Sequence, residues 1–176
     1  MKRLLVCTGL LAAGMFAVAQ GKSPASPAET ATGTIGGHTV TISYSSPAVK
    51  GREGQIFNKG GLIQKTHKEY PVWRAGANAA TTLTTDANLK IGNIDVPAGK
   101  YTLFVDISDP DNWVLIVNKK TGEWGLAYDA SQDLGKTKME MSKPSSMVEH
   151  LKYTIADGKL TLAWENHEAS VPIEAQ

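Results

Sequence analysis

Apolar and polar residues alternate along much of the chain, which is the pattern of strands with one buried face. The clearest alternating stretches carry their apolar side chains at Val40, Ile42 and Tyr44, at Leu151, Tyr153 and Ile155, and at Leu160, Leu162 and Trp164. Residues 101–107 and 113–117 are apolar at nearly every position, which is typical of central strands covered on both faces. The pattern therefore predicts a β-rich body with its core between the strands.

Turn-forming pairs such as Gly92-Asn93 and Asp157-Gly158 separate these stretches. About nine short strands at this spacing predict a single antiparallel β-sandwich, of jelly-roll or immunoglobulin-like type, over residues 35–176. Residues 145–151 have the nearest approach to a helical pattern, but Val148 and Leu151 give too small an apolar face to dock a helix. We expect a strand to begin there instead.

The beginning of the chain has the three parts of a secretory signal peptide. Residues 1–3 include the cations Lys2 and Arg3, and residues 4–18 are mostly apolar. The apolar part ends in Ala17-Val18-Ala19, which has the small residues of a cleavage signal. The apolar run is shorter than the ~20 residues that a membrane-spanning helix needs, and the rest of the chain has no similar run. We predict a signal peptide at 1–19, a flexible tether at 20–34, and a mature protein exported to the periplasm or the cell exterior, without an integral membrane segment.

Composition restricts the chemistry of the mature chain. Cys7 is the one cysteine and lies in the predicted signal, so the exported domain has no disulfide and must be stabilised by its core. Without Lys2 and Arg3, 16 basic and 17 acidic residues remain, and no basic cluster is present. This balance gives no electrostatic support for binding nucleic acid or an anionic membrane surface.

The arginines are the most informative charged residues. After the signal peptide the chain has two, Arg52 and Arg74, against 14 lysines, and both lie in one segment rich in turn formers. Arginine is suited to planar, bidentate and partly buried contacts, whereas lysine is suited to a solvated surface. The segment therefore predicts a specific site. The candidate ligand-binding residues are Tyr44, Arg52, Trp73, Arg74, Asn78 and Trp124.

The four tryptophans divide into two pairs. Trp113 and Trp164 continue the alternation of their strands and are predicted to lie in the core. Trp73 and Trp124 lie in turn-rich stretches, where a large aromatic side chain either closes one end of the sandwich or faces a ligand. The sequence leaves these two alternatives open.

Other chemical motifs are not found in the sequence. The four histidines have no paired spacing, so we predict no metal and no cofactor, and we expect His150 and His167 to be solvated residues at strand edges. The polar cluster at 106–112 is better explained as a turn bonded to its own backbone than as a calcium loop. No nucleophile elbow and no phosphate loop is present, so no catalytic residue is predicted.

Several motifs occur together in a fixed order: Tyr44-Ser45-Ser46-Pro47, Lys50-Gly51-Arg52, Val72-Trp73-Arg74-Ala75-Gly76-Ala77-Asn78, the segment 97–104, and Trp124-Gly125. In this combination the chain resembles domain-of-unknown-function family 2911, a group of exported bacterial proteins. The likeness covers nearly the whole chain after the tether. The resemblance implies a single secreted domain and brings no assigned activity with it.

Three functional hypotheses follow. In the first, the protein is a non-catalytic envelope or extracellular module that binds a small-molecule or glycan ligand through the candidate residues. In the second, the domain is structural, with Arg74 buried and satisfied by backbone carbonyls and by Asp86 or Asp106. In the third, which the missing nucleophile disfavours, it is a hydrolase that uses a carboxylate with a histidine. The sequence gives no indication of ligand identity or oligomeric state.

Overall fold

The computed structural model describes residues 25–122, 124–125 and 127–176. The predicted signal peptide and the first five residues of the predicted tether lie outside this part of the chain. Two antiparallel sheets pack together as an open sandwich, which confirms the predicted all-β fold. The strands of the described residues are β1 (Ala28–Ile35), β2 (His38–Ser45), β3 (Val72–Trp73), β4 (Thr81–Thr85), β5 (Leu89–Ile91), β6 (Ile94–Val96), β7 (Gly99–Asp106), β8 (Val114–Asn118), β9 (Asp133–Lys138), β10 (Glu140–Ser142), β11 (Val148–Ala156), β12 (Lys159–Glu165) and β13 (His167–Ala175).

The first sheet has the order β1-β2-β4-β7-β8-β9, with β3 paired to β7. The second has the order β11-β12-β13-β5-β6, with β10 paired to β13. The expected number of about nine strands is therefore too low, since the described residues form thirteen. The strands β3, β5, β6 and β10 have two or three residues each, which is too short for alternation to be recognised.

The prediction of a flexible tether is wrong for residues 28–34. These residues form most of β1, which pairs with β2 along its whole length from Ala28 opposite Ser45 to Ile35 opposite His38. Because β1 is an edge strand of small and mostly solvent-facing residues, it has no apolar alternation to reveal it. Gly36 and Gly37, both at positive φ, make the tight turn into β2.

The core has the composition that alternation predicted. The strands β7 and β8 lie inside the first sheet and are almost entirely buried, as expected for residues 101–107 and 113–117. Trp113 and Trp164 are buried, which confirms their assignment to the core. The polar cluster forms the expected turn, in which the Asp109 carboxylate accepts hydrogen bonds from the backbone of Asp111 and the side chain of Asn112.

Helix is confined to two short pieces among the described residues, α1 (Leu62–Thr66) and a 3-10 turn (Ala130–Gln132). Neither is long and apolar enough to cross a membrane. Residues 145–151 contain no helix, and β11 begins at Val148 as expected. The helix α1 lies in the long connection between β2 and β4, which also contains both arginines.

This connection is attached to the second sheet at its start. The backbone of Val49 donates to the carbonyl of Glu149, the backbone of Leu151 donates to the carbonyl of Pro47, and the Ser46 hydroxyl donates to the carbonyl of Leu151. These bonds hold the Arg52 turn against β11. The connection therefore joins both sheets and positions the candidate site.

Candidate functional site

A cavity of about 270 Å³ brings together both arginines of the described chain. We call it the arginine cleft and define it by Lys50, Arg52, His67, Arg74 and Trp164, which all line it. The first four come from the connection between β2 and β4, and Trp164 comes from β12 of the second sheet. The sequence predicted the two arginines but did not predict the other three members.

Arg74 is placed by a buried turn that follows β3. Ala75 has a positive φ of 52°, and its carbonyl accepts hydrogen bonds from the hydroxyl of Tyr153 at 2.9 Å and the hydroxyl of Thr81 at 3.0 Å. Gly125 packs against the aliphatic part of Arg74, and a Cβ at position 125 would collide with Cδ of the arginine. The side chain is therefore held by packing on its stem.

The guanidinium of Arg74 lacks the partners that the structural hypothesis expected. Its Nε and Nη1 are buried, and no group among the described residues accepts a hydrogen bond from them. Asp86 instead lies beside His38, at 3.6 Å, and the Asp106 carboxylate accepts from the backbone of Ser108. The expectation that carbonyls and one of these aspartates satisfy Arg74 is wrong. Burial lowers the pKa of Arg74 because it disfavours the charged form.

Arg52 behaves differently in the same cleft. Its Nε donates to the carbonyl of Val49 at 2.9 Å, and its Nη2 donates to the carbonyl of Ala48 at 2.7 Å. Two bonds to backbone carbonyls fix the guanidinium at the edge of the cleft without neutralising its charge. Neighbouring Lys50 adopts a positive φ of 49°, and its backbone N–H donates to the Glu149 carboxylate. The turn therefore holds two cations next to the cavity.

His67 follows the last residue of α1 and is 7% exposed. Its Nδ1 lies 3.1 Å from the carbonyl oxygen of Ile63, which can only accept, so Nδ1 carries the hydrogen. Its Nε2 is buried and has no partner within the described chain. The pKa of His67 is about 4, below the usual 6.5, because burial disfavours the imidazolium and the charge of Arg74 repels it. The ring is neutral at pH 7.

Trp73 and Trp164 form the aromatic part of this region. Trp73 is 0% exposed, and its Nε1 donates to the carbonyl of Gly76 at 3.2 Å. The rings of Trp73 and Trp164 stack with centroids 5.9 Å apart. Trp73 is therefore a core residue that closes this end of the sandwich. The Nε1 of Trp164 is buried without a partner in the described residues.

The electrostatic character of the cleft follows from these residues. Lys50, Arg52 and Arg74 contribute three formal positive charges, and none of the described residues that line the cavity is an aspartate or a glutamate. Of the five buried side-chain polar atoms without a partner among the described residues, four belong to Arg74, His67 and Trp164. Among the described residues, most of the unsatisfied buried polar atoms therefore lie beside the unneutralised charge of the cleft.

The remaining candidates lie outside the cleft lining. The Nδ2 of Asn78 donates to the carbonyl of Ser26 at 3.3 Å, and its φ of 56° places it in a tight turn. Trp124 is 62% exposed and forms an isolated β-bridge with Ala79. Tyr44 packs edge-on against Tyr153, with ring centroids 4.9 Å apart, and burial raises its pKa. Asn78 and Trp124 are neighbours of Arg74 through Gly125, whereas Tyr44 lies beside a different cavity.

A second group of titratable residues was not predicted. His150 is exposed as expected, but His167 is not a solvated edge residue, because its ring stacks on Trp113 and its Nδ1 lies 3.2 Å from the Glu165 carboxylate. Glu165 is 2% exposed and has a φ of 57° in the turn between β12 and β13. Two-residue turns with a positive φ favour asparagine or glycine. A glutamate in this turn is therefore unusual, and it is a feature of the sequence that could have indicated a special role for Glu165. Burial lowers the pKa of His167, although Glu165 acts in the opposite direction.

Metal coordination has no support in the described part of the chain, where no group of three or more histidine, cysteine or acidic side chains is arranged to hold an ion. His167, the partner of Glu165, lines two other cavities, which share no lining residue with the arginine cleft. The third hypothesis required a histidine beside a carboxylate in the cavity of Arg74. The described lining of that cavity does not contain such a pair.

A family model described as protein of unknown function, DUF2911, matches residues 26–173. The chain belongs to the DUF2911 family. A search of curated proteins and a search of solved structures each found no match. The DUF2911 region includes β1 and every residue that defines the arginine cleft. The segment that begins with β1 is thus part of the family domain.

Proposed function

We propose that this protein is an exported, non-catalytic binding domain whose arginine cleft holds the oxyanion group of a small ligand. The ligand class comprises carboxylates, phosphates and sulfates, including sugars that carry such a group. The location outside the cytoplasm rests on the sequence of residues 1–19.

The observation that carries the proposal is the charge of the cleft. Three cationic side chains line one cavity, and no carboxylate is present in its described lining. A buried charge normally has a partner of opposite charge or hydrogen-bond acceptors, because the free energy lost when the charge leaves water is not offset without them. The Nε and Nη1 nitrogens of Arg74 are buried donors without an acceptor among the described residues, so an anionic partner would supply what these residues do not.

The size of the cavity supports a small ligand or one end of a larger ligand. Pockets for small molecules usually have volumes of ~300 to 1,000 Å³. The arginine cleft, at about 270 Å³, lies just below that range. Trp124 is exposed and precedes Gly125, which packs against the aliphatic part of Arg74. A ring attached to the anionic group could therefore extend toward the exposed Trp124.

The test is calorimetric titration of the mature protein with acetate, malonate, phosphate, sulfate, glucuronate and uncharged glucose. We expect at least one anion to bind, glucose to bind more weakly than glucuronate, and Arg74→Gln to abolish the binding. Lys90→Gln is the matched control, because Lys90 is an exposed cation on β5 outside the cleft. Equal anion binding by the Arg74→Gln and parent proteins would refute the assignment to this cleft.

The structural hypothesis makes the opposite prediction for the same variant. If Arg74 served to close the sandwich, its replacement would lower stability and no anion would change the unfolding temperature of the parent protein. Ligand present at about 100 times its dissociation constant adds about 2.7 kcal/mol to the free energy of unfolding. Thermal unfolding with and without each anion therefore separates the two hypotheses.

A further inference from the structure

We infer that oxyanion binding in the arginine cleft is coupled to the uptake of one proton, which is placed on Nε2 of His67. This inference rests on the proposed function and adds the way in which binding depends on pH. In the empty cleft His67 offers a lone pair at Nε2. In the occupied cleft the same atom carries a hydrogen and donates it to the bound oxyanion.

The hydrogen bond of Nδ1 identifies the atom that gains the proton. The carbonyl oxygen of Ile63 can only accept, so Nδ1 remains protonated in both states of the ring. The nearby hydroxyl of Thr66 already donates to the carbonyl of Leu62 at 2.8 Å. Nε2 is therefore the position at which the ring gains or loses its proton, and it is buried without a partner among the described residues.

The charges around His67 disfavour the imidazolium while the cleft is empty. Arg74 is the charged group that acts on it directly, and Lys50 and Arg52 line the same cavity from the turn after β2. On α1 itself, Lys65 adds a further positive charge in the last turn. From β12 the lining side chain is the neutral Trp164. Of the groups that act on the ring, only the carbonyl of Ile63, which accepts from Nδ1, favours the imidazolium, and its effect is smaller than those of burial and Arg74.

A bound oxyanion reverses this balance. It neutralises the field of Arg74 and supplies an acceptor for an N–H at Nε2, so both effects favour the charged imidazolium. Proton binding and anion binding then strengthen each other by the same factor, as thermodynamic linkage requires. Uptake of one proton makes the affinity rise by up to about tenfold for each pH unit by which the pH falls.

The experiment uses sulfate and methanesulfonate, which do not change protonation state between pH 5 and 7. The mature protein is titrated calorimetrically at pH 5, 6 and 7, in two buffers of different ionisation enthalpy at each pH. We expect tighter binding at the lower pH, with a buffer-dependent heat that corresponds to uptake of up to one proton. NMR of the histidine rings in the unmodified protein provides a second measurement, because one ring should become protonated at a higher pH when sulfate is added.

Two variants assign the proton to His67. His67→Asn keeps an N–H near the position of Nδ1 but removes Nε2, and His67→Gln places a permanent amide near Nε2. Both should remove the proton uptake and the pH dependence of binding. His38→Gln is the control, because His38 is exposed at the start of β2 and lies beside Asp86.

The possible outcomes distinguish this inference from the function on which it rests. Anion binding with a constant affinity and without proton uptake would overturn the coupling and leave the proposed oxyanion site in place. Proton uptake that persists in His67→Asn, or a ring titration that sulfate leaves unchanged, would overturn the assignment to His67. Failure of both anions to bind at pH 5 would overturn the coupling, and failure of every anion of the wider panel would overturn the site itself.

Discussion

Replacement of Arg74 by methionine should stabilise the ligand-free protein, although most substitutions of partly buried residues destabilise. The Nε and Nη1 atoms of Arg74 are buried and have no acceptor in the described structure. Methionine keeps an unbranched stem in contact with Gly125 and removes both unpaired donors together with the charge. The substitution therefore removes the free-energy cost of burying these unpaired donors, and it breaks no hydrogen bond seen in the described residues.

The magnitude follows from the cost of an unsatisfied buried donor, about 1 to 3 kcal/mol. Arg74 is only half-buried, so solvent screens part of its charge, and we take about 1 to 2 kcal/mol for the whole side chain. A domain of this size gains about 2 to 4 °C in melting temperature for each kcal/mol. Urea denaturation at pH 7 gives the free energy of unfolding, and the slope of the transition shows whether the native state has changed.

Arg52→Met is the matched control for this prediction. Arg52 lies in the same cleft, but its guanidinium donates to the carbonyls of Ala48 and Val49. The loss of two such bonds should destabilise the protein by about 1 to 3 kcal/mol. The same substitution at two arginines should thus give changes of opposite sign. A loss of about 2 kcal/mol or more in Arg74→Met would refute the reasoning and identify Arg74 as a structural residue.

Three further predictions concern other parts of the molecule. As the pH is lowered from 6.5 to about 4, the free energy of unfolding should decrease, with His67 contributing at most about 3 kcal/mol, because the unfolded state binds a proton in this window that the folded state does not. Urea midpoints measured across this range should depend less on pH in His67→Asn than in the parent protein. An equal dependence in both proteins would contradict the prediction. Gly125→Ala should cost about 1 to 3 kcal/mol and alter the fluorescence of the adjacent Trp124, since its Cβ collides with Arg74. The exported protein should begin at Gln20 by intact-mass measurement, whereas a retained Met1 would exclude the predicted cleavage.

The fold could be predicted from the sequence wherever strands are long and bury one or both of their faces. The alternation at Leu160, Leu162 and Trp164 corresponds to β12, and the apolar run at 101–107 corresponds to β7. β1 was missed because an edge strand of threonine and alanine buries too little to need apolar residues. Strand detection from alternation therefore depends on burial, and fails where a strand is held mainly by its backbone hydrogen bonds.

The site was predictable only in part, for a different physical reason. The scarcity of arginine drew attention to Arg52 and Arg74, and the cavity contains both. The hydrogen bonds of a guanidinium depend on which backbone carbonyls the fold places within its reach. Arg52 donates to two carbonyls, whereas Nε and Nη1 of Arg74 have no acceptor among the described residues, and the sequence does not show this difference. His67 follows the end of α1 and Arg74 follows β3, and the fold of the connection brings both residues to the same cavity. Such convergence is a property of the tertiary structure.

The distribution of satisfied and unsatisfied groups connects stability with function in this domain. Outside the cleft, several buried polar side chains of the described residues have partners: the hydroxyl of Tyr153 donates to the carbonyl of Ala75, and the hydroxyl of Ser46 donates to the carbonyl of Leu151. The bonds to Ala75 fix the turn that places Arg74 in the cleft, where its own donors are unpaired. An apolar residue at position 74 would remove these unpaired donors and the cost of burying them. The unpaired donors that lower the stability of the ligand-free protein are thus the same groups that the proposed oxyanion would bind.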